Sequence, residues 1–269
     1  MILENLSNHF CCGGRLKRYR YHANCLDADM CFSIFLPAMA EQTALPVLYW
    51  IADCHQDDTS IFRCGHLLPL AARNKMVIVS LAGIPADSLL GRSQQPFLYL
   101  NATKIPWQQH YQLFDYIYKE LPEVIESHFP VQLYRAIAGI GAGGHAALVV
   151  GLSQHKRYKA ISAINPVISP ANNRNTRQLL LASLGEQASS WLQYDACELL
   201  ALAVNQRPVL VSQAELDPDQ DMQGTALLIE QARRIGYPLD YRMHLNYDAS
   251  DWFTMSVIES HMQFHRLYS

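Results

Sequence analysis

Apolar and polar positions along the chain follow two different periods. Between Met30 and Leu36, the residues Met30, Phe32, Ile34 and Leu36 fall on one face of an extended segment, and Arg15 to His22 reads as a companion strand. Beyond residue 45 the alternation gives way to short continuous apolar runs: Pro46–Ala52, Met76–Leu81, Tyr134–Gly139, Ala160–Ile164 and Pro208–Ser212. Runs of this length suit parallel strands covered on both faces. Helical stripes separate them. Tyr111, Phe114, Ile117, Leu121, Val124 and Ile125 form one, Thr225 to Arg234 another, and a last helix starts near Asp251 and carries Phe253, Val257, Ile258 and Met262. The pattern predicts an α/β fold with a mostly parallel central sheet, antiparallel N-terminal strands and helices on both faces. Its length of 269 residues fits a single domain over residues 1–269. Residues 83–107 and 166–195 read as long loops, of the kind that shape a binding mouth or a partner surface.

Composition narrows the functional classes. Charged residues make up 17% of the chain, below the roughly 25% usual for soluble domains. That shortage points to surface covered by another subunit, as in a homodimer or other homo-oligomer, although a large buried sheet gives the same figure. The net charge of −3 supplies no electrostatic reason for nucleic acid or an acidic membrane as partner. No apolar run approaches the length of a membrane span. Cysteines at 11, 12, 25, 31, 54, 64 and 197 are odd in number and show no C-x-x-C spacing. With no basic-then-apolar leader at the N-terminus, a reducing cytoplasm is the expected location.

The chemistry rests on Ile137-Ala138-Gly139-Ile140-Gly141-Ala142-Gly143-Gly144-His145, which closes a predicted strand and opens a predicted helix. Read as G-x-G-x-x-G through Gly139, Gly141 and Gly144, it matches a dinucleotide fingerprint. That reading fails on context: the segment lies mid-chain, and no acidic residue follows before Glu186 to hold a ribose. A plainer alternative is that the glycines only allow a helix to pack closely on the sheet. Read as G-x-S-x-G, the segment is a nucleophile elbow in which Gly141 stands where the serine belongs.

The surrounding landmarks carry a resemblance. Phe10-Cys11-Cys12-Gly13-Gly14, Pro46-Val47-Leu48-Tyr49-Trp50, Tyr99-Leu100-Asn101-Ala102-Thr103 with Pro106-Trp107, Glu120-Leu121-Pro122, Gly143-Gly144-His145 and Trp191 with Tyr194-Asp195-Ala196 occur in order. Almost end to end, the chain resembles the S-formylglutathione hydrolase (esterase D) family. The resemblance implies an α/β-hydrolase fold and, in intact members, serine thioesterase and carboxylesterase activity in formaldehyde detoxification.

It also implies a damaged site. The family's elbow, G-H-S-M-G-G-H, here carries Ile140, Gly141 and Ala142, so the nucleophile position is glycine. The family's G-Y-D-H-S stretch is Asn246-Tyr247-Asp248-Ala249-Ser250, so the histidine position is Ala249. Asp217 keeps the carboxylate of the triad. A triad needs nucleophile, base and orienting acid together, and Asp217 alone has nothing to orient. The oxyanion loop, L-S-G-L-T-C-T-D in the family, becomes Ile51-Ala52-Asp53-Cys54-His55-Gln56-Asp57-Asp58. Cys54 and Ala142 are the expected backbone donors of the oxyanion hole, and Asp53, in place of a glycine, brings a negative charge that opposes an anion. Arg174-Asn175-Thr176 replaces an aromatic wall of the acyl pocket, and Gly91 to Pro96 departs from the family's loop.

Other groups offer no ready replacement. Cys54 and His55 are neighbours, which on an extended loop point apart. His261 and His265 have a zinc-compatible i, i+4 spacing but lack an H-E-x-x-H pattern and a third ligand, so neither metal nor cofactor is expected. His145 is expected to pack or hydrogen-bond at the helix start, and Ser250 to cap the last helix. The residues therefore imply a catalytically inactive pseudo-hydrolase with a binding or scaffold role and a small-molecule ligand in the former active site. The alternatives are a weak or altered thioesterase using other groups, and a non-hydrolytic enzyme whose elbow amides hold an anionic intermediate. Gly141 is expected at φ > 0, with the neighbouring amides facing a small cavity toward Ala249 and Asp217.

Overall fold

The computed structural model describes residues 2–54, 56–81, 98–154 and 156–269. Among the described residues, nine strands form one sheet in the order β1-β2-β3-β5-β4-β6-β7-β8-β9. These are β1 (Glu4–Cys11), β2 (Gly14–Ala23), β3 (Ala28–Pro37), β4 (Leu45–Ile51), β5 (Val77–Leu81), β6 (Val131–Ile140), β7 (Tyr158–Ile164), β8 (Val209–Ala214) and β9 (Leu239–His244). The β1–β2, β2–β3 and β3–β5 pairs are antiparallel, and the six strands from β5 to β9 run parallel. The expected mostly parallel sheet with an antiparallel start is what the chain forms.

Both faces of the parallel strands are covered. Val47, Tyr49 and Ile51 of β4 join one core cluster, while Leu48 and Trp50 join the other. On the first side lie α2 (Leu121–His128), α3 (Ala142–Ser153), α5 (Ala196–Ala201) and α6 (Met222–Ile235); on the second, α1 (Leu67–Asn74) packs against α7 (Asp251–Leu267). Two-sided burial explains the unbroken apolar runs. The expected helical stripe is helical from Leu113 onward, with a widened, π-type turn over Tyr116–Glu120 before α2, while Tyr111 precedes the helix and Gln112 forms a bridge to Asn101.

Three elements depart from the pattern. The edge strand β1 falls in the antiparallel N-terminal region without a distinct apolar signal of its own, and β9 has no counterpart in the apolar pattern: β1 is mostly exposed and β9 only half-buried, so neither shows a sustained apolar face. Residues 166–195 are not one long loop, because α4 (Arg174–Leu184) lies within them, capped by the Asn173 side chain on the amides of Asn175 and Thr176. Only Leu180 and Leu184 of α4 are buried, too few for a legible stripe. Most of the other expected loop, 83–107, lies outside the described residues, as does the 91–96 segment.

Candidate active site

The candidate site lies at the carboxyl ends of the parallel strands, where open α/β sheets bind ligands. Strand β6 ends at Ile140 and α3 begins at Ala142, so Gly141 alone makes the turn. Its φ of 57° and ψ of −122° lie where L-residues are strained, as expected of an elbow. The Gly141 amide donates to the Ile164 carbonyl at 2.9 Å, and its carbonyl accepts from His145 N at 3.0 Å. The helix start presses close to the sheet: a Cβ at Gly143 would collide with the carbonyls of Ile51 and Ala52. The packing explanation thus accounts for Gly143, while Gly141 answers to its backbone angle. His145 is fully buried, and its Nε2 shares a 2.8 Å hydrogen bond with the Tyr194 carbonyl, so it fastens α3 to its surroundings.

The expected donors, the amides of Cys54 and Ala142, do converge, but they do not face an empty cavity. Oδ1 of Asp53 accepts from both, at 2.8 Å each. The reason is local: in the loop after β4, the short Asp53 side chain folds back onto the next amide and reaches the start of α3. A Cβ on Gly141 would overlap the Asp53 carboxyl carbon and both its oxygens. The loop is pinned on several sides. Tyr99 donates its hydroxyl to the Ala52 carbonyl at 2.7 Å. Gln56 Nε2 donates to Asp251 Oδ1 at 3.2 Å. Fully buried Asp58 accepts from Arg18 at 2.9 and 2.7 Å and from Ser33 Oγ at 2.6 Å.

Asp217 follows β8, half-buried, and accepts from Gln213 Nε2 at 3.1 Å and from Asp219 N at 3.0 Å. Burial, above all, pushes its carboxyl up from the ordinary value; the charges of Asp219 and Asp53 add to this, and the two hydrogen bonds oppose it. Ala249 is exposed in the turn between β9 and α7. The two loops are stitched together, Leu216 N donating to the Tyr247 carbonyl at 2.8 Å and Asn246 N to Glu215 Oε2 at 2.8 Å. Ser250 sits at the N-cap position of α7 but makes no side-chain cap. Its hydroxyl donates instead to Asp248 Oδ1 at 2.5 Å, because the preceding Asx turn is nearer than the helix amides.

The nearby histidine is His244 at the end of β9. Its ring meets those of Phe253 and Tyr247 edge to face, with ring centres 5.2 and 6.1 Å away, and Nε2 has no hydrogen-bond partner among the described residues. His55 lies outside the described residues. His261 and His265 do not face the site: their Nε2 atoms bond to Ser212 Oγ (3.0 Å) and Ser162 Oγ (2.8 Å) beneath α7. Asp53 brings a charge to the hole, as its position in the sequence implies, but that its carboxylate accepts from both amides is visible only in the structure. The glycine-to-aspartate change beside a serine-to-glycine change was the available signal.

The overlap at Gly141 predicts a stability effect. Gly141→Ser should destabilise the fold by about 2–4 kcal/mol, combining a strained backbone position with overpacking against a carboxylate. In an Asp53→Gly background the cost should fall to about 1–2 kcal/mol, leaving only the backbone strain. Urea unfolding of the four proteins of the cycle checks this, and a neutral Gly141→Ser would show that the elbow relaxes freely.

Known proteins place this geometry in a family. Residues 23–250 match the Esterase family model. The structure is similar to an S-formylglutathione hydrolase from Agrobacterium tumefaciens at 25% identity and a TM-score of 0.89, covering 98% of this chain and 99% of that one. It is similar in fold to an S-formylglutathione hydrolase from Staphylococcus aureus, with 16% identity, a TM-score of 0.73 and coverage of 99% and 100%. A fluorophosphonate-binding serine hydrolase of Staphylococcus aureus shares the fold at 17% identity and a TM-score of 0.76, with coverage of 94% and 98%. With an α/β-hydrolase-like sheet, an elbow at Gly141 and a family match over most of its length, the chain belongs to the Esterase family.

Proposed function

We propose that this protein is a non-hydrolytic member of the family, a pseudo-hydrolase that acts by binding rather than by acyl transfer. The observation that carries the reading is Gly141 itself: the turn that presents a nucleophile in a serine hydrolase is intact in angle, and its residue has no side chain. Ala249 at the histidine position and an Asp217 that, among the described residues, pairs with Gln213 and Asp219 agree with it. The rim supports a binding role, since Leu216, Leu245 and Tyr247 on the loops around the former site and Trp252 at the start of α7 are exposed. The bound species is a small molecule at that rim or a protein partner. A homo-oligomer is part of the same proposal, and sedimentation at two concentrations tests it.

The purified protein should show no saturable turnover of p-nitrophenyl acetate or S-formylglutathione, and fluorophosphonate should leave it unlabelled. Saturable turnover at ordinary enzyme rates, or a labelled residue, would replace this reading with an altered thioesterase.

A further inference from the structure

The two amides of the elbow region behave as a ligand site that already holds a ligand. One oxygen, Asp53 Oδ1, receives N–H bonds from Cys54 and Ala142 at 2.8 Å each. That is the arrangement in which a pair of amides holds a single oxyanion. We infer that Asp53 is the resident ligand of an anion site: the chain fills the site with its own carboxylate and so excludes free carboxylates and acyl oxyanions. The inference rests on the reading of Cys54 and Ala142 as the anion-binding amides, and it is independent of whether the protein hydrolyses anything.

Two further observations support a permanent occupant rather than a swinging gate. Tyr99 anchors Ala52, Asp251 anchors Gln56, and Arg18 and Ser33 anchor Asp58, so the carboxylate is delivered from backbone tied down before and after it. A tethered group of this kind competes at an effective concentration of about millimolar or above. The absence of a side chain at residue 141 is also what makes room, because any Cβ there would overlap the Asp53 carboxylate. Asp53 and Gly141 therefore belong to one arrangement: the residue that would attack is gone, and a carboxylate stands in its volume.

The test uses acetate as probe and isotope-labelled full-length protein, with chloride at matched ionic strength as control. In the unmodified protein the Cys54 and Ala142 amide resonances should show no saturable movement with acetate. In Asp53→Gly both should move saturably, while Asp53→Asn, whose amide oxygen still accepts from the two donors, should stay closed. Saturable movement in the unmodified protein, or none in Asp53→Gly, overturns the inference. Should Asp53→Gly fail to fold, the through-hydrogen-bond coupling between Ala142 nitrogen and the Asp53 carboxyl carbon in the unmodified protein decides: its presence supports the inference and its absence overturns it. Either result leaves the hydrolysis assays unaffected, so the two readings fail separately.

Discussion

Installing Gly141→Ser with Ala249→His yields a poor esterase, and adding Asp53→Gly raises its kcat/KM for p-nitrophenyl acetate by about a hundredfold or more. The double variant restores the residue types of a nucleophile and a base next to Asp217, so on a simple count of triad members it should work. The geometry says otherwise. Both amides that would stabilise the tetrahedral oxyanion are committed to Asp53 Oδ1, and losing even one such donor costs about 10²–10³ in kcat. The same carboxylate overlaps the new serine's Cβ, so the nucleophile enters displaced or displaces the loop. Asp53→Gly removes both obstacles. Asp53→Asn separates them, because it removes the charge but keeps the bulk and an oxygen on the amides. That variant should stay within a few-fold of the double. If the double and triple variants hydrolyse at equal rates, Asp53 is not the obstacle.

The legible parts of the fold are those where burial is two-sided or strongly periodic. Strands β4 to β8 announce themselves because their side chains enter cores on both faces, and α7 does so because Phe253, Val257, Ile258 and Met262 face one way. The edges β1 and β9 stay silent for the opposite reason, as does α4, whose buried contribution is two leucines. Within the site, the elbow is legible because glycine, free to adopt φ > 0, marks the sharp turn between a strand and a helix where other residues are strained. The Asp53 contact is not, because it joins residues 53 and 142 through a side-chain rotamer, and sequence spacing carries no record of which way a carboxylate folds. Ser250 makes the same point on a smaller scale: its place before α7 was readable, but its choice of Asp248 over the helix amides was not.

Acid should begin to destabilise this protein below pH 6.5, through its buried histidines. His145, His261 and His265 are buried, and burial lowers the pKa of each: His261 falls well below its ordinary 6.5, and His265 drops to about 3. Positive neighbours reinforce the effect at His261, which faces His265, Arg242 and His244. A histidine depressed in the folded state contributes stability that is complete above the unfolded value and is lost as pH falls toward the folded one. The window here runs from pH 6.5 down to about 3, since the unfolded chain takes up protons that the folded chain refuses. At about 1.4 kcal/mol per pH unit, His265 alone forfeits about 2 kcal/mol by pH 5. His261 and His145 act in the same direction, against a total stability of about 5–15 kcal/mol for a typical domain. Asp217, raised in the folded state, has the opposite sign: it favours the fold at low pH and loses that contribution as pH rises, but it is one group against three. Urea unfolding between pH 7 and 5 should therefore show a falling midpoint, and His265→Gln, which keeps a partner for Ser162 Oγ, should reduce the pH slope by about one proton. A midpoint independent of pH across that range, or an unchanged slope in His265→Gln, would mean that the histidines beneath α7 accept protons without cost and that this helix opens more readily than its burial implies.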